Sequence, residues 1–251
     1  MPFQLTVSPD FTPDHISGWY IFNTWLQKAL DEGVHLELYN NFNDQRSAIQ
    51  TDQVDMIYAN PYDAAMLVRE KGFLPVARPG GVADEAIIAV RDDSPTQVVE
   101  DLSSGIRIAA TDDPDVNLIC AIMLEPAELN AENTQREEKE SYPLVAKAVI
   151  QGQVDLGFFL AEAFNSLSGV TRKQLRPLVT SQIHIIHHAL LVGPKLAHKQ
   201  QQLSELLAGM SEDPKGSGVL QSLGFDSWVK VEEEEMEFMI DLMDTLTYQP
   251  A

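Results

Sequence analysis

The segment Ala48-Ile49-Gln50-Thr51-Asp52-Gln53-Val54-Asp55 is echoed by Ala148-Val149-Ile150-Gln151-Gly152-Gln153-Val154-Asp155. Each copy reads as a helix end, a tight turn, the tripeptide Gln-Val-Asp and a buried strand. Each strand then enters an aromatic-bearing loop: Tyr58-Ala59-Asn60-Pro61-Tyr62 in the first copy, Phe158-Phe159-Leu160-Ala161-Glu162 in the second. Such repetition points to matching positions in two α/β lobes.

The flanking sequence alternates in the same sense. Gln4 to Ser8 predicts a strand, and Ser17 to Leu30 a helix carrying Trp19, Phe22, Trp25 and Leu26 at helical spacing. Gly33 closes that helix, and Val34 to Tyr39 alternates as a second strand. A helix capped by Asn43 or Asp44 runs through Gln50, and Val54 to Ala59 is the third strand. Pro61 opens another helix, at a position where its missing N–H would lack a partner anyway. The scheme then returns as a strand from Gly105 to Ala110, helices from Val116 to Glu125 and Pro143 to Gln151, and a strand from Val154 to Leu160. Two extended segments, Ala86 to Arg91 and Ile183 to Val192, are expected to cross from lobe to lobe. Helices from Gln200 to Met210 and Glu232 to Leu246 follow. Alternation of this kind predicts mostly parallel sheets covered on both faces.

A formal net charge of −21 repels nucleic-acid phosphates and anionic lipid, so neither is expected as a partner. The single cysteine, Cys120, lies in the apolar run Leu118 to Ile122 and reads as a buried structural thiol with no intrachain disulfide. Met1-Pro2 leads straight into the first strand. As written, this predicts a cytoplasmic protein, or a periplasmic one whose export signal was removed before numbering began. No apolar stretch approaches the ~20 residues needed to span a bilayer.

Enzyme signatures are absent: there is no G-x-S-x-G, H-E-x-x-H, Walker or G-x-G-x-x-G motif. The expectation is therefore no catalysis and no cofactor. Glu232 to Glu235 favours a helix N-terminus through the helix dipole rather than a metal site. His184, His187 and His188 lie among β-branched residues that predict a strand. On a strand His184 and His188 share a face and His187 opposes them, so three metal ligands would not converge. A hinge or binding role for one of these histidines is the better reading.

Several stretches together resemble the phosphate/phosphite/phosphonate-type solute-binding proteins of ABC importers, a branch of the type II periplasmic-binding fold. Gln53 to Tyr62 is similar to the family's "G-Q-V-D-I-A-x-x-G-P-x-x-Y" strand and loop, and Arg69 to Pro79 to the segment that follows it. Ile88 to Pro95 resembles the first crossing strand; Glu212 to Gly216 with Leu223-Gly224-Phe225 resembles the C-terminal part. The resemblance implies an α/β fold of two lobes joined by two crossing segments, with the ligand cleft between them. Residues 1–88 plus 187–251 would form lobe 1, and 89–186 lobe 2. One departure matters. The family's Ser/Thr-rich turn, which holds phosphonate oxygens, is replaced by Thr111-Asp112-Asp113-Pro114-Asp115-Val116-Asn117. Three carboxylates disfavour an anion there unless their side chains point away; the alternative that one of them simply caps the helix still leaves the anion cradle lost.

In such folds ligands lie at the carboxyl ends of the strands. That rule nominates His15, Asn41, Tyr58, Asn60, Tyr62, Asp113 and Asn117 for ligand binding, and His184 joins them as the hinge or cleft histidine. The resemblance adds Phe11 as a cleft aromatic, and Glu162, near the family's acidic contact for an amino group. The expectation is a monomeric solute-binding protein for a small polar molecule, an amine among the options, with an ABC permease as partner if exported. The alternatives are a cytoplasmic sensor or carrier, or an enzyme, on the same fold.

Overall fold

The computed structural model describes residues 2–11 and 15–247. The chain gathers into two compact units, one from Met1–Ala83 with His187–Thr245 and one built on Asp84–Ile186.

The first unit opens with β1 (Phe3–Val7), α1 (Ile16–Leu30), β2 (Val34–Leu38), α2 (Phe42–Gln50), β3 (Met56–Ala59), α3 (Pro61–Lys71) and β4 (Leu74–Pro79). The second unit holds β5 (Ala86–Arg91), β6 (Arg107–Ala110), α4 (Pro114–Met123), β7 (Gln135–Glu138), α5 (Tyr142–Ile150), β8 (Leu156–Leu160), α6 (Ala161–Asn165), α7 (Gly169–Arg172) and β9 (Leu175–Thr180). The chain then completes the first unit with β10 (Ala189–Val192), α8 (Gln200–Ala208), α9 (Pro214–Leu223), β11 (Trp228–Lys230) and α10 (Glu233–Thr247).

The first sheet has the order β11-β4-β10-β3-β1-β2, the second β7-β6-β8-β5-β9. Neither is mostly parallel. β1 pairs in parallel with β2 and β3, and β6 with β7 and β8, whereas β10 and β5 run antiparallel to both of their neighbours. The reason is chain path: β5 and β10 are the first strands after each passage between units, and no crossover helix imposes a parallel direction on them.

Strand alternation splits the apolar side chains of the first sheet between two faces. Met56, Tyr58, Leu190 and Val192 pack with Trp19, Phe22, Leu203 and Leu220. Ile57, Ala59, Ala189 and Leu191 pack with Ile49, Leu67, Met236 and Met239 on the other. Helix α1 approaches α9 so closely that a Cβ on Gly18 would lie 2.0 Å from the Ser222 carbonyl oxygen.

The repeated Gln-Val-Asp has one structural job in both units. Asp55 N–H donates to Gln4 O (2.9 Å) and its Oδ2 accepts from Gln4 N (2.9 Å). Asp155 N–H donates to Arg107 O (2.8 Å) and its Oδ2 accepts from Arg107 N (2.8 Å). Each Asp therefore clamps the start of the neighbouring parallel strand. A cation completes each clamp: Lys195 at 2.8 Å from Asp55, Arg107 at 3.0 Å from Asp155. The preceding turns match as well, with Asp52 (φ 54°) and Gly152 (φ 69°) both left-handed.

Three local expectations need correction. Helix α2 is capped by Asn41, not Asn43 or Asp44, because Asn41 Oδ1 accepts from Asp44 N at 2.8 Å. Helix α4 starts at Pro114, two residues before Val116, because the Asp113 side chain caps it. Residues 181–188 form no strand; only Ala189–Val192 of the second extended segment pairs. Among the described residues no helix is long and apolar enough to cross a membrane.

Candidate ligand-binding site

In the first unit, β1, β3 and β10 are neighbours, and the residues after β1 and β3 and before β10 meet at one edge. Here lies a buried ion pair absent from the nominated residues: His188 Nε2 sits 3.1 and 3.0 Å from the two carboxylate oxygens of Asp10. Their side chains are only 10% and 3% exposed. Burial alone would raise the Asp10 carboxyl, but the His188 charge and hydrogen bonds from His188 and Ser8 outweigh it and hold it below its ordinary value. Asp10 is thus an acceptor, which assigns a proton to His188 Nε2.

Tyr58 stacks on His188 with centroids 5.1 Å apart and is ringed by Trp19, Phe225 and Trp228. It is buried, as is Asn60. Asn60 caps α3 by accepting from Asp63 N at 2.7 Å. Tyr62, one turn on, is exposed and lies under Arg46, whose guanidinium is 5.2 Å from the ring and bonds Asp63 at 2.7 and 3.1 Å. Phe11 packs against the core, and the His15 ring lies against Gly224, where a Cβ would be 2.6 Å away. Asn41 is a half-buried helix cap.

In the second unit, β6 delivers the chain to the N-terminus of α4. Asp113 is buried, and its Oδ1 accepts from Asp115 N (3.1 Å) and Val116 N (3.2 Å). Its Oδ2 accepts from the Tyr142 hydroxyl at 2.6 Å. Asp115 is buried too, whereas Asp112 is exposed. Asn117 Nδ2 donates to Thr111 O at 2.9 Å, which turns its Oδ1 into a buried acceptor with no partner among the described residues. Acceptors dominate this edge, with the Arg136 guanidinium donating to Thr111 O at 2.9 Å beside them. Glu162, exposed, stands in the first turn of α6 directly after β8. Cys120 is buried beneath, and desolvation, aided by the Asp113 charge, pushes its thiol well above the ordinary value, as suits an inert thiol.

His184 is placed differently from the other residues. Its side chain is 74% exposed, its φ is 60°, and its backbone N–H donates to Glu85 Oε1 at 2.8 Å. The shared strand face for His184 and His188 does not exist, because the segment between them is irregular. Sequence reasoning did not single out Asp10 or Tyr142, and it left His188 as one of three histidines with a hinge or binding role. Asp10 carried a signal, as the first acidic residue beyond the first strand; Tyr142 carried none.

A model of the periplasmic substrate-binding proteins of phosphonate ABC transporters matches residues 5–236. No curated protein matches the chain in sequence. Among solved structures, PhnD1 from Prochlorococcus marinus in complex with methylphosphonate is 13% identical, with a TM-score of 0.81 and 97% of each chain covered. A binding-protein component of a Pseudomonas aeruginosa ABC phosphonate transporter is 15% identical at a TM-score of 0.79, covering 97% of this chain and 87% of that one. The periplasmic aliphatic sulphonate binding protein SsuA from Escherichia coli is 15% identical at 0.68, covering 97% and 92%. These similarities give the type II periplasmic-binding fold. With its whole central length matched in order, the chain belongs to the phosphonate-type periplasmic substrate-binding protein family of ABC transporters.

Proposed function

We propose that the protein is the substrate-binding component of an ABC importer, and that its ligand presents hydrogen-bond donors on a cationic, amine-like group. The family's periplasmic setting supports export and delivery to a permease, and not the cytoplasmic sensor. Family members are transport proteins, which supports binding without turnover.

The observation that carries the ligand class is the acceptor-lined end of β6. Asp113 and Asp115 are buried carboxylates, and the Asn117 Oδ1 is a buried acceptor awaiting a donor. A lone pair left without a donor costs about 1–3 kcal/mol, and an N–H group on the ligand recovers it. A tetrahedral oxyanion such as methylphosphonate would add lone pairs and negative charge where both are already in excess. Glu162, exposed in the first turn of α6, suits the same cation.

A thermal-shift screen of amines, amino acids, vitamins and phosphonates tests this reading. Stabilisation by one or more amine-bearing compounds, and none by phosphate or simple phosphonates, is expected. Stabilisation by phosphonates alone would overturn the ligand class.

A further inference from the structure

Two donors share one acceptor at the end of β6. Thr111 O accepts from Asn117 Nδ2 and from Arg136 Nη2, each at 2.9 Å. The guanidinium and the amide are therefore neighbours. Arg136 stands on the exposed edge strand β7, opposite Ile108 of β6, and its side chain runs along the sheet to the turn before α4. A guanidinium carries five N–H groups, and this one gives a single hydrogen bond and forms no ion pair among the described residues. In a chain of net charge −21 the other arginines are more fully engaged. Arg46, Arg69, Arg78, Arg91 and Arg107 each hold a carboxylate, Arg172 lies over the Phe164 ring at 4.1 Å, and Arg176 donates to Thr96 O at 2.6 Å. Partial burial draws the Arg136 guanidinium below its ordinary value, against the favourable charges of Glu138 and Asp112. It remains a cation, partly stripped of water and with N–H groups to spare.

We infer that Arg136 anchors a carboxylate on the ligand, and that the ligand taken at this edge is therefore a small zwitterion of the amino-acid class. The inference rests on the amine reading above and narrows it. Donor and acceptor stand side by side here: spare guanidinium N–H groups next to the buried Asn117 Oδ1. An amino acid presents the converse pair, a carboxylate and an ammonium close together on one carbon frame. A planar carboxylate also suits the fork of a guanidinium, which can give it two parallel hydrogen bonds. A zwitterion adds no net charge beside Asp112, Asp113 and Asp115, whereas a phosphonate without an amine adds negative charge alone. One anionic group is thus accepted at an edge where a bare oxyanion is refused.

The test is calorimetric titration of the full chain, at about 0.15 M salt, with each common amino acid beside the amine left when its carboxylate is removed. In wild type at least one amino acid should bind about tenfold more tightly than its own amine, as hydrogen bonds to charged groups require. In Arg136→Gln that ratio should collapse to near one. In Arg136→Lys, which keeps the charge but not the fork, it should fall between. Thr111 O keeps the Asn117 donor in both variants, so their ligand-free melting temperatures should stay close to wild type. Equal binding of amino acid and amine by wild type would overturn the inference and leave the amine reading standing. A loss in Arg136→Gln that is the same for both compounds would also overturn it, because the guanidinium would then only be holding the turn. Binding of neither class of compound would overturn both readings together.

Discussion

At the scale of single residues, Asp10 and His188 form the most consequential pair. Two charges taken out of water are expensive, and losing one partner strands the other. Asp10→Ala is expected to cost about 3–5 kcal/mol in urea denaturation. The folded protein holds the Asp10 carboxyl below its ordinary value, so the unfolded chain takes up protons first as the solution is acidified. The part of this stability that depends on the Asp10 carboxylate is therefore complete above about pH 3.9 and drains away as pH falls through the lower folded value. The gap between wild type and Asp10→Ala should narrow at the acidic end; a gap independent of pH would show that the pair is not ionised as described. Tyr62 behaves differently. Its ring is exposed and bears Arg46, so Tyr62→Ala should cost at most about 1 kcal/mol of stability while weakening ligand binding. Unchanged affinity would remove Tyr62 from the site.

At the scale of elements, the twice-used Gln-Val-Asp clamp makes a paired test. Asp55→Ala removes the acceptor of Gln4 N and of Lys195 from a carboxylate 8% exposed, and is expected to cost about 1–3 kcal/mol. Asp155 is 45% exposed, so Asp155→Ala should cost less. The turns invert the comparison. Gly152→Ala at φ 69° should destabilise by about 1 kcal/mol, and Asp52→Gly at φ 54° should be neutral or stabilising. Thermal denaturation of the four variants decides both points. The clamp also explains what the sequence made legible. The helix–turn–strand repeat was readable because apolar periodicity and the turn coincide. The strands β4 and β9 were not, because Pro75, Pro79 and Pro177 interrupt them, and β7 is the wholly polar edge Gln135–Glu138. Helix α9 carries no clear helical signal because Gly216 and Gly218 are poor helix formers, although Gly216 is required where a Cβ would meet Met210 O at 2.2 Å. Asp113 and Asn117, nominated by the strand-end rule, do lie together at the end of β6. The β-branched neighbours of His184 and His188 suggested a strand that the backbone does not make.

At the scale of the whole molecule, two features act together. The chain belongs to a family of periplasmic substrate-binding proteins, and it carries a net charge of −21 with acceptors buried at the end of β6. An overall field of that sign slows the approach of anions and attracts cations, an effect that salt screens over roughly 8 Å at physiological ionic strength. The local acceptors persist at that salt because they are buried. Selectivity for a donor-bearing ligand should therefore survive moderate salt, whereas any weak surface attraction should fade. The most direct test is calorimetric titration of the protein at about 0.15 M salt with methylphosphonate and, separately, with the amine ranked first in a thermal screen. The account predicts saturable heat with the amine and none with methylphosphonate. Saturable methylphosphonate binding at micromolar concentration, unchanged by salt, would contradict it.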